Sequence, residues 1–548
     1  MKKLFVTFAI TLCCISNFSI AKVNELVLHN INIIDVKTLA LKPNMTIVIS
    51  DAKISSIEKG DYKSTAENAI YIDMTGKYAI PGLIDAHVHH ATNPDTWDKF
   101  STTKARLQHL LRGGVTSVRD MGGDGRTLAN LKRLAEIDQI QSPDIYFSVI
   151  IGGQTFFDDP RTIASAKGRQ SGNTVWMRSV DNESNFDAIV LQAKGLGATG
   201  IKVYADLPAD VLPPLYTSAK EHGLKVWAHT LISPATPLES VQAGVEVMSH
   251  IPDLAGQVIA NFRDWRIGKK QLSDDLFERS MDAGSYDELF DAIKKNDVIL
   301  DATMSVFERS KSANDVRKKN YQQAKFLLRL AAQEGLKIGA GTDAFADLEN
   351  DALPPLFKEL SLLVNEGGLT PLQAIQSATL INAQALGIEQ THGYLAAGKR
   401  ANLVILDEDP SADIENTKKI RHVIKNGQFV FRGDMPGLPF VNAKQVDGTL
   451  WMSGQIGNLP TTMTLAGDTI ESQMHQTLKN IGSVLKDYDL DYNDVVKCTL
   501  MLADIDEWAK ANVVYKQYFT DNLPTRSAFG ANGLALNAKV EVECIAQL

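Results

Sequence analysis

Residues 78–90 read YAIPGLIDAHVHH, an apolar run that ends with His87 and His89 two positions apart. On a strand, residues two apart share a face, so both imidazoles point the same way. Downstream the theme returns as GVTSVRDMGG, IYFSVIIGG, TGIKVYAD, LKVWAHT, VEVMSHI, DVILDATM and LKIGAGTDA. With the opening run these make eight predicted strands, most of them separated by an amphipathic helical stretch such as VLPPLYTSAKEHG or YQQAKFLLRLAAQEG. Eight β-α alternations predict an α/β fold whose centre is a (β/α)8 barrel over residues 81–392. Such a barrel carries its chemistry at the C-terminal ends of its strands.

That end is where the polar residues fall. Lys202 lies in GIKVYAD of the fourth strand, His229 ends KVWAHT of the fifth, His250 ends VEVMSH of the sixth, and Asp343 ends GAGTDA of the eighth. Random placement would not gather them at one end of four strands. Imidazoles and a carboxylate converging on one mouth are a metal-ligand set, so His87, His89, Lys202, His229, His250 and Asp343 are the candidate ligands. Taken singly, a strand histidine is ordinarily structural, and His29, His90, His109, His222, His392, His422 and His475 are read that way. Lys202 alone would be an ordinary end-of-strand lysine.

Outward from the barrel the texture changes. Residues 22–80 (ELVLHNINIIDV, MTIVISDAKISSIEKG) and 393–432 (ANLVILDEDP, IRHVIKNGQFVFRG) are short and β-rich, and predict one small β-sandwich domain assembled from both flanks. Residues 433–437 read as a Gly/Pro-rich linker, and 438–548 as a separate α+β domain with helices at IESQMHQTLKNIGSVLKDY and EWAKANVVYKQYF. At the other end, Lys2 and Lys3, the apolar stretch Leu4–Ile15 and the small-residue site Ser19-Ile20-Ala21 read as a signal peptide over residues 1–21. The apolar stretch is short for a membrane span, so the expectation is an exported protein, periplasmic or secreted, with no membrane attachment after cleavage. Of four cysteines, Cys13 and Cys14 fall in that signal. Cys498 and Cys544 sit in apolar strand-like runs and are expected to be buried free thiols, with pairing left open. A formal charge of −9 and no basic cluster interleaved with aromatics argue against a nucleic-acid partner.

The motifs PGLIDAHVHH, GVTSVRDMGG, GIKVYAD, AGVEVMSH, GTDA, GLTPLQAIQSATLINAQALG and GYLAAGKRANLVILDEDP resemble the amidohydrolase superfamily, in its imidazolonepropionase-like and Xaa-Pro or Xaa-Arg dipeptidase-like branch. The resemblance covers roughly residues 23–432 and implies a TIM barrel. It also implies two divalent ions, with Zn²⁺ the default for a His-rich N/O site, and a carbamylated Lys202. A protonated lysine cannot ligate a cation, whereas a carbamate offers two oxygens that can bridge two. His87, His89, Asp343 and the carbamate would hold one ion; the carbamate, His229 and His250 the other. A metal-bridging hydroxide would be the nucleophile, since a metal lowers the pKa of its water to about 7, and Asp343 would handle the proton. A mononuclear site with an uncharged or salt-bridged Lys202 is the open alternative.

Substrate is less sharply specified. A histidine that often follows the third-strand Gly-Gly in peptide-cleaving relatives is Gln154 here, itself a candidate substrate contact. Tyr204, on the face of Lys202, is a candidate substrate contact or a packed aromatic. Arg119 is a candidate substrate contact or half of a pocket salt bridge. The Ser/Asn/Asp-rich stretch 156–190 reads as a mobile lid. The leading expectation is hydrolysis of an amide or peptide C–N bond in a small molecule, a dipeptide or N-acyl amino acid. The alternatives are cyclic-amide hydrolysis or deamination at the same site, and a non-catalytic metal-containing binding protein.

The C-terminal motifs GTLWMSGQIG, LPTRSAFGANGL and KVEVECIAQL resemble the reactive-intermediate deaminase (RidA) family from about Leu438 to Leu548. That resemblance implies Arg526 as a carboxylate-binding residue and Glu541 as a manager of water, together with a homo-oligomer, trimeric through this domain. The family's tyrosine near the domain start is Phe440 here, and its small-residue or cysteine position after Arg-Ser is Ala528. Both departures leave a purely structural role open beside imine deamination.

Overall fold

The computed structural model describes residues 25–66, 69–89, 100–260, 262–266, 273–344, 347–348, 353–430, 441–458, 465–488 and 490–548. The expected signal peptide at 1–21, His90, the expected linker at 433–437 and Phe440 lie outside the described residues.

The eight strands form one parallel sheet in sequence order: Leu83–Val88, Val115–Asp120, Asp144–Gly152, Gly200–Val203, Lys225–His229, Val247–Ser249, Ile299–Asp301 and Ile338–Gly339. Every residue of the first two is buried, as parallel strands covered on both faces require. The last strand returns to the first and closes the barrel. Asp343 N donates to His87 O at 2.8 Å, and Val88 bridges Ala344. Two buried side chains stitch the same seam. The Asp85 carboxylate accepts from His87 N (3.1 Å), Thr342 N (3.1 Å) and Thr342 Oγ1 (2.8 Å). The Asn382 amide donates to Ile84 O (2.6 Å) and Ala340 O (2.7 Å).

Both β-rich flanks join a single eight-stranded sheet that runs from Lys53–Lys59 at one edge to Gln428–Phe429 at the other and branches where Ala69–Asp73 pairs with the central strand Glu25–Asp35. Its apolar cluster draws on both ends of the chain, with Leu28, Ile31 and Ile47 packed beside Leu403, Ile405 and Ile424. The stretch 156–190 differs from the expected loose lid. It holds helical turns at Gln154–Asp158 and Pro160–Ser165, and a short strand, Met177–Ser179, added to the third barrel strand. Phe156, Phe157, Trp176 and Met177 are buried in the barrel core. Those large apolar side chains, set among the polar residues, are what anchor it.

In the C-terminal domain, a six-stranded sheet has its helices Ile470–Asp487 and Trp508–Tyr515 on one face. Alternating burial along Val540–Gln547 marks that one-sided cover. Here the expectation of free thiols is overturned, because Cys498 and Cys544 form a disulfide. Both were correctly expected to be buried. Strand alternation turns both toward the helices, and antiparallel pairing sets them directly opposite, their Cα atoms 4.1 Å apart. Among the described residues no helix is long and apolar enough to cross a membrane.

Candidate metal centre in the barrel mouth

Five of the eight strand ends, the first, fourth, fifth, sixth and eighth, deliver the expected side chains to one place. Ligand atoms of His87, His89 and Asp343 all lie within 4.8 Å of one another. Asp343 Oδ1 is 3.2 Å from His89 Nε2 and 3.7 Å from His87 Nε2, and Asp343 Oδ2 is 3.9 Å from His250 Nδ1. The imidazoles of His87 and His250 have centroids 5.0 Å apart, and those of His250 and His229 4.6 Å. Lys202 is fully buried, and its Nζ donates to Ser249 Oγ at 2.8 Å. Asp343 and His250 both adopt left-handed backbone, with φ of 46° and 76°. Non-glycine residues are seldom held there without a functional demand.

Electrostatics sharpen this picture. Burial alone would raise the Asp343 carboxyl, but His87, His89 and His250 outweigh it and hold the group well below the usual carboxylate range. Burial pushes the Lys202 amine down to about 7, partly opposed by Asp301. A buried amine near neutrality is the form able to combine with carbon dioxide, so the donor set of imidazoles, carboxylate and uncharged amine fits a divalent metal centre.

Second contacts orient these groups. His87 Nδ1 pairs with Asp301 Oδ2 at 2.7 Å, His250 Nδ1 with Thr303 Oγ1 at 2.9 Å, and His89 Nδ1 with Gly122 O at 3.3 Å. Sequence reasoning passed over Asp301, Ser249, Thr303 and Asp85. Asp301 carried the available signal, ending the seventh strand at the level where the other ligands end theirs.

The three candidate substrate residues fare differently. Tyr204 stands at the mouth, its ring 4.2 Å from that of His229 and stacked on Phe156 at 5.0 Å. Gln154 is exposed just past the end of the third strand. Arg119 is not a substrate contact. It is fully buried, its Nη2 donates to Asp301 Oδ2 at 2.9 Å, and its guanidinium lies 4.9 Å from the Trp227 ring. A guanidinium without exposed surface can only pair internally.

In the C-terminal sheet the structure does not bring Arg526 and Glu541 together. Arg526 pairs with Cys498 and Glu541 with Met501. Those partners are three apart on one strand, so the two side chains leave opposite faces. Arg526 lies against the helix Trp508–Tyr515, its Nη1 donating to Asn512 Oδ1 at 2.5 Å with the Tyr515 ring 4.8 Å away. Burial, with Glu543 nearby, raises the Glu541 carboxyl.

A closed parallel barrel with imidazoles, an aspartate and a lysine gathered at its C-terminal mouth is the layout of a barrel hydrolase. The chain belongs to the amidohydrolase family, whose model matches residues 78–430, and is thus a hydrolase acting on carbon–nitrogen bonds. The fold is also that of a solved Xaa-Pro dipeptidase with bound methionine, at 23% identity and a TM-score of 0.57, covering 74% of this chain and 99% of that one. Residues 435–548 match the family described as endoribonuclease L-PSP, and this C-terminal domain is of the RidA type. Over 108 residues it is 40% identical to the 2-iminobutanoate/2-iminopropanoate deaminase of Mus musculus, covering 20% of this chain and 80% of that protein. Over 110 residues it is 40% identical to the chloroplastic Reactive Intermediate Deaminase A of Arabidopsis thaliana, covering 20% of this chain and 59% of that protein.

Proposed function

We propose that the barrel hydrolyses an amide or peptide C–N bond in a small molecule, a dipeptide or an N-acyl amino acid. In this reading His87, His89 and Asp343 would hold one divalent ion and His229 and His250 a second, with a carbamate on Lys202 as the ligand available to both. The observation that carries it is the convergence of His87, His89 and His250 on the Asp343 carboxylate, with the buried Lys202 amine behind them. Bound there, such ions would lower the pKa of water enough for a nucleophile at neutral pH and would offset charge on the substrate carbonyl oxygen. Carbamylation joins Nζ to the carbon of carbon dioxide, with one N–H proton lost. Asp343, kept ionised by its imidazole neighbours, takes a proton from the attacking water and passes it to the leaving amine nitrogen. Tyr204, fixed between Phe156 and His229, forms a wall against which the substrate packs. The likeness in fold to a dipeptidase supports the choice of peptide-like substrates.

Product analysis tests this reading. Two fragments from dipeptides or N-acyl amino acids support it. Released ammonia would instead mark deamination, and a single ring-opened product cyclic-amide hydrolysis. Retained metal without turnover of any of these would mark a binding protein.

The C-terminal domain, in the same proposal, assembles the chain into a homo-oligomer, a trimer, and deaminates small imines across its subunits. The placement of Arg526 and Glu541 on opposite sheet faces supports a site that one chain does not complete. Export follows from residues 1–21, and the Cys498–Cys544 disulfide supports an oxidising compartment. N-terminal sequencing of the mature protein checks cleavage after Ala21.

A further inference from the structure

Beneath the candidate ligands, one carboxylate oxygen gathers three donors from three different strands. Asp301 Oδ2 accepts from His87 Nδ1 at 2.7 Å, Ser249 Oγ at 2.9 Å and Arg119 Nη2 at 2.9 Å. Ser249 Oγ in turn accepts from Lys202 Nζ at 2.8 Å. Asp301 therefore stands one hydrogen bond from His87 and two from Lys202. These belong to different parts of the centre: His87 serves one ion, and Lys202 is the precursor of the group shared by both.

Asp301 is itself tightly seated. It is 1% exposed, and Arg119, held on Trp227, offsets its charge, which is what a buried carboxylate needs. Its Oδ1 makes no hydrogen bond among the described residues and packs against Gly341. A Cβ at Gly341 would fall 2.2 Å from Asp301 Oδ1 and 2.5 Å from His87 Cβ. The bare backbone just before Thr342 and Asp343 thus sets the depth of both the carboxylate and the imidazole.

We propose that Asp301 is a positioning residue that couples the two halves of the metal centre, setting His87 directly and the Lys202 arm through Ser249. An imidazole that donates from Nδ1 to a carboxylate has its ring plane fixed and its free electron pair on Nε2; in His87 that nitrogen faces Asp343. The serine link holds the lysine arm against the sixth strand, next to His250. This inference rests on the two-ion reading of the site.

The experiment compares ion content, by elemental analysis, and ion affinity, by calorimetry, in full-length mature protein purified with Zn²⁺ and bicarbonate. Ser249→Ala cuts the link between Asp301 and the lysine arm shared by both ions and is expected to weaken both about 10–100-fold, with Ser249→Thr restoring them. Asp301→Asn is expected to weaken both by a similar factor. Should it fail to fold because Arg119 is left uncompensated, Asp301→Asn combined with Arg119→Gln and the serine pair carry the comparison. A purely structural Asp301 would lower the melting temperature of these variants and leave both affinities at parental values, and that result overturns the inference. A parent chain holding one ion would overturn the two-ion reading and this inference with it; a parent holding two, unchanged in every variant, overturns this inference alone.

Discussion

In the barrel, His87 and Asp343 approach to 3.7 Å although most of the fold lies between them in sequence. In the C-terminal sheet, Arg526 and Glu541 are only 15 positions apart, yet they leave opposite faces. The difference lies in how each architecture handles strand ends and strand faces. A closed parallel barrel directs every C-terminal strand end to one mouth, so sequence distance is irrelevant. A one-sided sheet sorts residues by parity, and two residues of opposite parity meet only around an edge or across a subunit boundary. The barrel's candidate ligands gather at one mouth within one chain, whereas Arg526 and Glu541 stay on opposite faces of their sheet.

The largest effect that would break this contrast is at Asp343. Asp343→Asn is expected to lower kcat about 10²–10⁴-fold, as loss of a proton-transfer group does, with KM little changed. Near-parental kcat in a steady-state assay would remove Asp343 from the chemistry. For the C-terminal pair, mixed oligomers sharpen the comparison. Arg526→Ala and Glu541→Ala chains, each inactive toward small imines, are expected to regain part of that activity when refolded together. No recovery would place the site within one chain or deny it altogether.

Stability effects rank below these. Replacing both Cys498 and Cys544 with Ala is expected to cost about 2–4 kcal/mol in denaturant unfolding of the C-terminal domain and to leave barrel hydrolysis unchanged. Smaller again is an ion pair at the opposite end of the barrel. There Asp144 Oδ1 meets Lys425 Nζ at 2.9 Å, and Asp144 Oδ2 meets His392 Nε2 at 3.4 Å. Burial alone would raise the Asp144 carboxyl, but His392 and Lys425 bring it from 3.8 down to about 2. A depressed carboxyl stabilises the fold above its unfolded value and loses that contribution as pH falls through the folded one. Asp144→Asn should therefore cost roughly 2 kcal/mol near neutrality, with the gap to the parent closing between pH 3.8 and about 2. Activity should be spared, because this end of the barrel serves stability.

The contrast also explains what could be read from sequence. All eight barrel strands and the six candidate ligands at their ends were legible, because buried parallel strands leave continuous apolar runs and the ligands punctuate their ends. Asp301 ends the seventh predicted strand, but its role comes from a neighbour more than 200 positions away, which sequence alone does not reveal. Arg119 was ambiguous for the same reason, and only the pairing with Asp301 decides it. The disulfide needed the register of two antiparallel strands, which apolar composition does not encode. The ordered stretch 156–190 was hidden by its polar majority, although Phe156, Phe157 and Trp176 were the signal. In the C-terminal domain the elements were readable, but the separation of Arg526 from Glu541 depended on pairing with a third strand.

The most direct test of the central claim is the divalent-ion content per chain of the mature protein, purified with bicarbonate present, for the parent and for Lys202→Ala. About two ions in the parent, lost together in the variant, is the predicted result. A single ion that persists in Lys202→Ala would contradict the lysine-bridged centre.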